Sequence, residues 1–72
     1  MAFTIEGKLR DVQDIAYKKN LVVSCDLYYN NITRPEERWV AKVWINSGKP
    51  LHFRASSLRK ALNAAIAYLR VL

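Results

Sequence analysis

The stretch RWVAKVWINSGKPLHFRA, residues 38–55, decides the fold, because its pattern is that of two strands joined by a tight turn. The side chains of residues 38–45 alternate between two faces and include aromatic and β-branched types, which predicts a strand. One face carries Trp39, Ala41, Val43 and Ile45, and the other carries Val40, Lys42 and Trp44. The first of these faces is expected to point into the core.

The turn NSGK, residues 46–49, and the strand PLHFRA, residues 50–55, complete the hairpin. Gly48 is expected to take the positive φ that a tight turn needs, and Pro50 suits the start or the edge of a strand. The inward side chains of this strand are Leu51 and Phe53, and the outward ones are His52 and Arg54. Because the connection is short, the two strands are predicted to be antiparallel.

A further strand is predicted upstream in LVVSCDLYYNN, residues 21–31, which alternates in the same way. Its two faces are Val23, Cys25, Leu27 and Tyr29 on one side, and Val22, Ser24, Asp26 and Tyr28 on the other. The polar segment NNITRPEE, residues 30–37, is expected to form the turn into the next strand, and Pro35 within it cannot donate a backbone hydrogen bond.

Helices are predicted on both sides of these strands. In KLRDVQDIAYKKN, residues 8–20, apolar residues recur at helical spacing, acidic residues come early and lysines come late, as the helix dipole favours. Asn20 is a suitable stop. Residues 1–7 are expected to be either a short strand or a loose lead-in. The last helix begins at a cap, Ser56 or Ser57, and buries Leu58, Ala61, Leu62, Ala65, Ile66 and Leu69.

The predicted fold is therefore α+β with the order α-β-β-β-α, in a single domain over residues 1–72. Three antiparallel strands form one sheet. Both helices are expected to pack on the same face, since only that face offers an apolar layer.

Composition narrows the classes of function. Twelve Lys and Arg against six Asp and Glu give a net charge of +6, which attracts polyanions and points to nucleic acid or an acidic protein surface. The lone Cys25 is expected to be a small buried hydrophobe in a reducing, cytoplasmic setting. No signal-peptide pattern, long apolar run or metal-ligand spacing is present in the sequence. His52 is the only histidine and has no catalytic companions, so we expect neither an enzyme nor a cofactor.

From about Lys8 to Leu72 the chain resembles a double-stranded RNA-binding domain. AYKKNL at the end of the first helix is similar to the family's A-x-K-K-G-L, and ALNAAIAYL is similar to its alanine-rich last helix. WVAKVWINSGK stands where the family has a strand, a short glycine turn and a strand. The resemblance implies an α-β-β-β-α fold that binds duplex RNA.

Two grip motifs of that family are altered here. The lysines of its Lys-Lys-x-Ala-Lys run correspond to Leu58, Arg59 and Leu62, so Arg59 alone keeps a charge. The family's Gly-Pro-x-His loop is replaced by NNITRPEERW, in which Arg34 and Arg38 could reach phosphate. Residues 34–69 also resemble the sheet and helix of ethylene-response-type DNA-binding domains, whose open sheet face enters the major groove, but that family's glycine-rich arginine strand is missing.

Two hypotheses follow. The first is a regulatory nucleic-acid binder that prefers duplex RNA and contacts phosphates through six cations: Arg59, Lys60, Arg34, Lys18, Lys19 and Lys49. The second is a small protein-binding regulator, similar in size and charge to phage proteins that capture a host machine such as RNA polymerase or a defence nuclease.

The second hypothesis would use the outer sheet face, which gathers Val40 with Trp44, Tyr28, Lys42, His52 and Arg54. That face could also stack on bases. Each feature has a structural alternative. Trp44 and Tyr28 could form a stabilising cross-strand pair, Lys18 and Lys19 could compensate the helix dipole, and Arg59 and Lys60 could lie on a solvated helix face.

Overall fold

The computed structural model describes residues 4–31 and 34–72, and it confirms the predicted α+β class and α-β-β-β-α order. The elements are α1 (Ile5–Lys18), β1 (Val23–Tyr29), β2 (Trp39–Ile45), β3 (Leu51–Ala55) and α2 (Leu58–Arg70), with a short 3₁₀ helix at Pro35–Glu37.

The three strands form one antiparallel sheet in the order β1-β2-β3. Cys25 lies opposite Val43, and Ala41 lies opposite Phe53, so the predicted inward faces of the strands coincide. Both helices pack on this face: α2 contacts β2 and β3, while α1 contacts β1 and lies against α2.

The core consists of two clusters that show how the helices run. One contains Ala16 of α1 with Leu69 of α2, and the other contains Leu62 of α2 with the partly buried Leu9 of α1. Early residues of α1 thus meet early residues of α2, and late residues meet late ones, so the two helices run in the same direction.

This parallel arrangement gives the molecule two distinct ends. The loop end consists of residues 4–6, 34–38 and 56–60, and it holds the starts of both helices and the connection between β1 and β2. The hairpin end consists of residues 17–22, 46–50 and 69–72, and it holds the last turns of both helices and the turn between β2 and β3.

The expectation of a strand or loose lead-in over residues 1–7 is wrong for the part that the structure describes. α1 begins at Ile5, and the Thr4 hydroxyl caps it by accepting a hydrogen bond of 2.9 Å from the Gly7 N–H. Glycine is tolerated in this first turn because a helix leaves these N–H groups without internal partners and a threonine cap satisfies one of them. Residues 1–3 lie outside the described residues.

The end of α1 confirms Asn20 as the stop. Asn20 has φ 60°, its N–H donates to the Tyr17 carbonyl, and the Leu21 N–H donates to the Ala16 carbonyl. These two bonds form a Schellman motif, which satisfies carbonyls that the helix leaves open. At the start of α2 the open choice of cap falls on Ser57, whose Oγ accepts from the Lys60 N–H at 3.2 Å.

The prediction of a positive φ at Gly48 is wrong. The positive values belong to Asn46 (φ 51°) and Ser47 (φ 62°), and the Gly48 N–H donates to the Ile45 carbonyl at 2.9 Å. Positive φ at both central residues defines the type I′ turn, which matches the twist of paired strands. Gly48 is needed for space instead, because an added Cβ would lie 3.1 Å from the Ile45 oxygen.

Candidate nucleic-acid interface

The six predicted phosphate-binding cations are all exposed, but the fold divides them between the two ends. Arg34, Arg59 and Lys60 lie at the loop end. Lys18, Lys19 and Lys49 lie at the hairpin end. The seven-residue strands β1 and β2 run from one end to the other, so the two groups form separate surfaces.

The hairpin end carries four cations. They are Lys18, Lys19, Lys49 and Arg70, and the residues of this end include no Asp or Glu. Two hydrogen bonds hold the segments together: the Asn46 N–H donates to the Val22 carbonyl at 2.8 Å, and the Val22 N–H donates to the Asn46 Oδ1 at 2.9 Å. None of the four cations forms a side-chain hydrogen bond or ion pair within residues 4–31 and 34–72.

The loop end carries the same number of cations, but glutamates surround them. Its residues include four Lys or Arg and three Glu. Arg59 and Glu37 each already take part in an interaction with another residue. The Lys60 ammonium lies 3.3 Å from the Ser56 hydroxyl, and its backbone N–H is used by the Ser57 cap. The family-like grip positions therefore lie in a nearly neutral and internally bonded region.

The outer sheet face is less continuous than its sequence pattern suggests. Val40, expected to point outward, is fully buried between its cross-strand neighbours Tyr28 and Arg54. At the other side of the face the Lys42 ammonium lies 4.9 Å from the centre of the Trp44 ring, a cation–π contact, and His52 is the neighbour of Lys42 on β3. The face thus consists of two patches.

The alternative that Trp44 and Tyr28 form a cross-strand pair is wrong. Trp44 lies opposite Ser24, and Tyr28 lies opposite Val40, because the register places them four residues apart along the sheet. A cross-strand aromatic pair does form between Tyr29 and Trp39, with ring centroids 4.9 Å apart at 64°. It lies on the inward face near the loop end.

A feature that sequence reasoning missed is a groove between α1 and α2. Lys8 is only 7 % exposed, and its ammonium donates to the Asn63 Oδ1 at 2.6 Å. Two signals were present in the sequence: Lys8 lies one turn before the buried Val12, and Asn63 is a poor helix former inside an alanine-rich helix.

Cys25 is half-buried on the inward sheet face and contacts both core clusters. Burial raises the pKa of its thiol above the ordinary value, and the neighbouring Asp26 carboxylate adds to the effect. A thiol held in its protonated form is a poor nucleophile. This agrees with the prediction that Cys25 acts as a small hydrophobe.

Within residues 4–31 and 34–72 no three His, Cys, Asp or Glu side chains gather as a metal site. In the same residues no helix is long and apolar enough to cross a membrane.

A scan against protein-family models, a search of curated proteins and a search of solved structures each find no match to this chain. The resemblance to double-stranded RNA-binding domains accordingly stays a prediction from the sequence motifs.

Proposed function

We propose that this protein is a regulatory, non-enzymatic nucleic-acid-binding domain whose main phosphate-binding surface is the hairpin end. The observation that carries the proposal is that the residues of the hairpin end include four cations, Lys18, Lys19, Lys49 and Arg70, and no Asp or Glu. Long cationic side chains without internal partners can each displace a counterion from a phosphate backbone, which is the main source of affinity in such complexes.

Helix dipoles account for part of this cluster but not for all of it. Lys18 and Arg70 lie in the last turns of α1 and α2, where a cation compensates the negative helix end. Lys49 lies in a β-turn, where no helix dipole requires a charge. The dipole also gives no reason for the absence of Asp and Glu from the turn, residues 46–50.

Duplex RNA is the preferred ligand because of the motif resemblance, and contacts to phosphates alone would let duplex DNA bind as well. The loop end, with Arg34, Arg59 and Lys60, supplies a second and weaker contact. A duplex offers phosphates over the whole 35 Å length of the domain, so one ligand can reach both ends.

Fluorescence anisotropy with labelled duplexes of RNA and DNA, across a series of salt concentrations, tests the proposal. Four phosphate contacts predict that log K falls with log salt at a slope of about −3.6. Lys49→Ala should reduce that slope by about 0.9. Arg10→Ala, which removes an exposed cation of α1 outside both ends, serves as the matched control. Absence of binding to either duplex at low salt would refute the proposal.

A second candidate function is capture of an acidic protein surface, such as one on a host polymerase or defence nuclease, through the patch of Lys42, Trp44 and His52. The observation that favours it is the cation–π contact of 4.9 Å, which holds Lys42 and Trp44 in one fixed arrangement on an open sheet face. Tryptophan is a frequent anchor of protein interfaces.

A pull-down from cell extract with and without nuclease separates the two candidates. Nucleic-acid binding predicts that the captured material disappears after nuclease treatment. Protein capture predicts a nuclease-resistant partner that Trp44→Ala loses and Trp44→Phe keeps, since phenylalanine preserves an aromatic ring at the anchor.

A further inference from the structure

The only buried charged side chain among the described residues is Lys8, which is 7 % exposed between α1 and α2. The ammonium donates a hydrogen bond of 2.6 Å to Asn63 Oδ1, and this is the one hydrogen bond or ion pair of the Lys8 side chain within residues 4–31 and 34–72. An ammonium group has three N–H donors, and a neutral amide oxygen uses one of them.

This burial is hard to explain by stability alone. A buried cation loses its hydration, and a neutral partner does not return the charge interaction that a carboxylate would supply. An unbranched apolar side chain of similar length, such as methionine, could fill the same space without that cost. The Asp11 carboxylate lines the same groove between α1 and α2 but forms no ion pair with Lys8, so the positive charge of Lys8 stays available to a ligand.

The groove beside Lys8 has the size and chemistry of a small binding site. It has a volume of about 420 Å³ and is lined by Lys8, Asp11, Asn63, Ile66, Ala67 and Arg70. Pockets for small molecules begin at roughly 300 Å³. Asn63 and Arg70 lie two helical turns apart, about 10 Å along α2, so the groove is longer than a lone inorganic ion.

We infer that this groove binds the phosphate group of a hydroxyl-bearing phosphate ester, the chemistry of a sugar phosphate or nucleotide. The Lys8 ammonium and the Asn63 amide, whose Nδ2 remains to donate, bind the phosphate oxygens. Asp11 accepts a hydrogen bond from a ligand hydroxyl. Ile66 and Ala67 contact the carbon framework, and Arg70 borders the far end with a second positive charge.

The site is independent of the proposed nucleic-acid surface in all but Arg70. Its phosphate could come from a free phosphate ester or from the backbone of a bound strand, and both sources present the same group to Lys8. Ribose 5-phosphate, inorganic phosphate and ribose serve as probes of the free form.

Thermal unfolding of the full chain at matched ionic strength tests the inference. Ribose 5-phosphate at tenfold its Kd should raise Tm by roughly 9 °C. Inorganic phosphate should raise Tm less, and ribose should leave it unchanged. Absence of a rise with both phosphate compounds would overturn the inference.

Two variants make the result specific to Lys8. Lys8→Met should keep or raise the Tm of the free protein and lose the response to ribose 5-phosphate. Asn63→Asp should lose it too, because the new carboxylate gives Lys8 an internal partner in place of the phosphate. A response that persists in the folded variants would overturn the inference, and Asn63→Asp keeps the test decisive if Lys8→Met fails to fold.

A binding titration with duplex RNA identifies the source of the phosphate. If Lys8→Met weakens duplex binding about tenfold, the site takes a backbone phosphate. If duplex binding is unchanged while the response to ribose 5-phosphate is lost, the site takes a free ester. A response to ribose 5-phosphate in a protein that binds no duplex would refute the proposed function and leave this inference standing.

Discussion

The loop end and the hairpin end carry the same number of cations but differ in what surrounds them. Three glutamates, a serine cap and the interactions of Arg59 occupy the loop end, whereas the hairpin end has four cations and no acidic side chain. The motif resemblance directs attention to the loop end, because the double-stranded RNA-binding domains that the sequence resembles grip RNA at the corresponding positions. The local balance of charge directs attention to the hairpin end instead. The position of a cation in a motif therefore says little about the electrostatic field around it, which depends on the neighbouring carboxylates.

Both ends depend on one core, and core truncations should give the largest effects. Two variants test this: Leu62→Ala, in the core cluster nearer the loop end, and Leu69→Ala, in the core cluster nearer the hairpin end. Each deletes most of a fully buried side chain and should cost about 3 kcal/mol of unfolding free energy. Urea unfolding followed by circular dichroism measures this. We expect a single transition in both variants, and two separate transitions would mean that the ends fold independently.

The comparison of charge is tested by paired double variants. Lys18→Ala with Lys49→Ala should weaken duplex binding about 50-fold at 0.1 M salt, whereas Arg59→Ala with Lys60→Ala should weaken it less than about tenfold. Anisotropy titrations at several salt concentrations measure both. Equal losses, or a larger loss at the loop end, would reverse the assignment of the main surface. Unchanged thermal unfolding confirms that each variant is folded.

The local structures that shape the two ends should also differ in strength. Asn46→Ala puts alanine, which tolerates positive φ less well than asparagine, at φ 51°. It also removes the hydrogen bond that the Asn46 Oδ1 accepts from the Val22 N–H, so it should cost about 2 kcal/mol of unfolding free energy. Ser57→Ala removes one helix cap and should cost about 1 kcal/mol. Asn46→Gly keeps the turn geometry but loses the side-chain hydrogen bond, so it should cost less unfolding free energy than Asn46→Ala. Chemical denaturation of all three variants ranks them.

The smallest effect concerns Cys25, which contacts the clusters of both ends. Because burial raises the pKa of its thiol above 9.0, the folded protein keeps a proton that the unfolded chain loses. The free energy of unfolding should therefore fall as pH rises through the unfolded thiol pKa near 9.0. Denaturation at pH 8 and pH 10 measures the decrease, with Cys25→Ala as the control that removes this contribution. A greater stability at pH 10 in the native sequence alone would contradict the sign.

Much of the fold could be predicted from the sequence because its periodic patterns are strong. The alternation of residues 38–45 and the alanine-rich stripe of α2 each have one solution that buries apolar surface. The start of α1 was harder, since Gly7 suggests a break and only the capping bond of Thr4 outweighs it. The turn was also harder to predict. The positive φ of Asn46 and Ser47 depends on the twist of the paired strands. The close approach of Gly48 to the Ile45 carbonyl is a contact that the sequence alone does not reveal.

The candidate site was predicted only in part, for a physical reason. The sequence identifies which cations are exposed, but the division of six cations between two ends depends on the parallel course of the helices. The isolation of Trp44 from Tyr28 depends on register. The burial of Lys8 depends on a contact with Asn63, 55 residues away along the chain.

The order of the sheet has a consequence for how the chain folds. Since β1, β2 and β3 are neighbours in sequence and in space, each strand can add to the one before it with short loop closures. α1 is made first, yet much of its apolar surface meets α2, which is made last. The core is therefore complete only when α2 has packed against α1. A chain truncated after β3 should leave α1 without its main partner and fail to fold cooperatively.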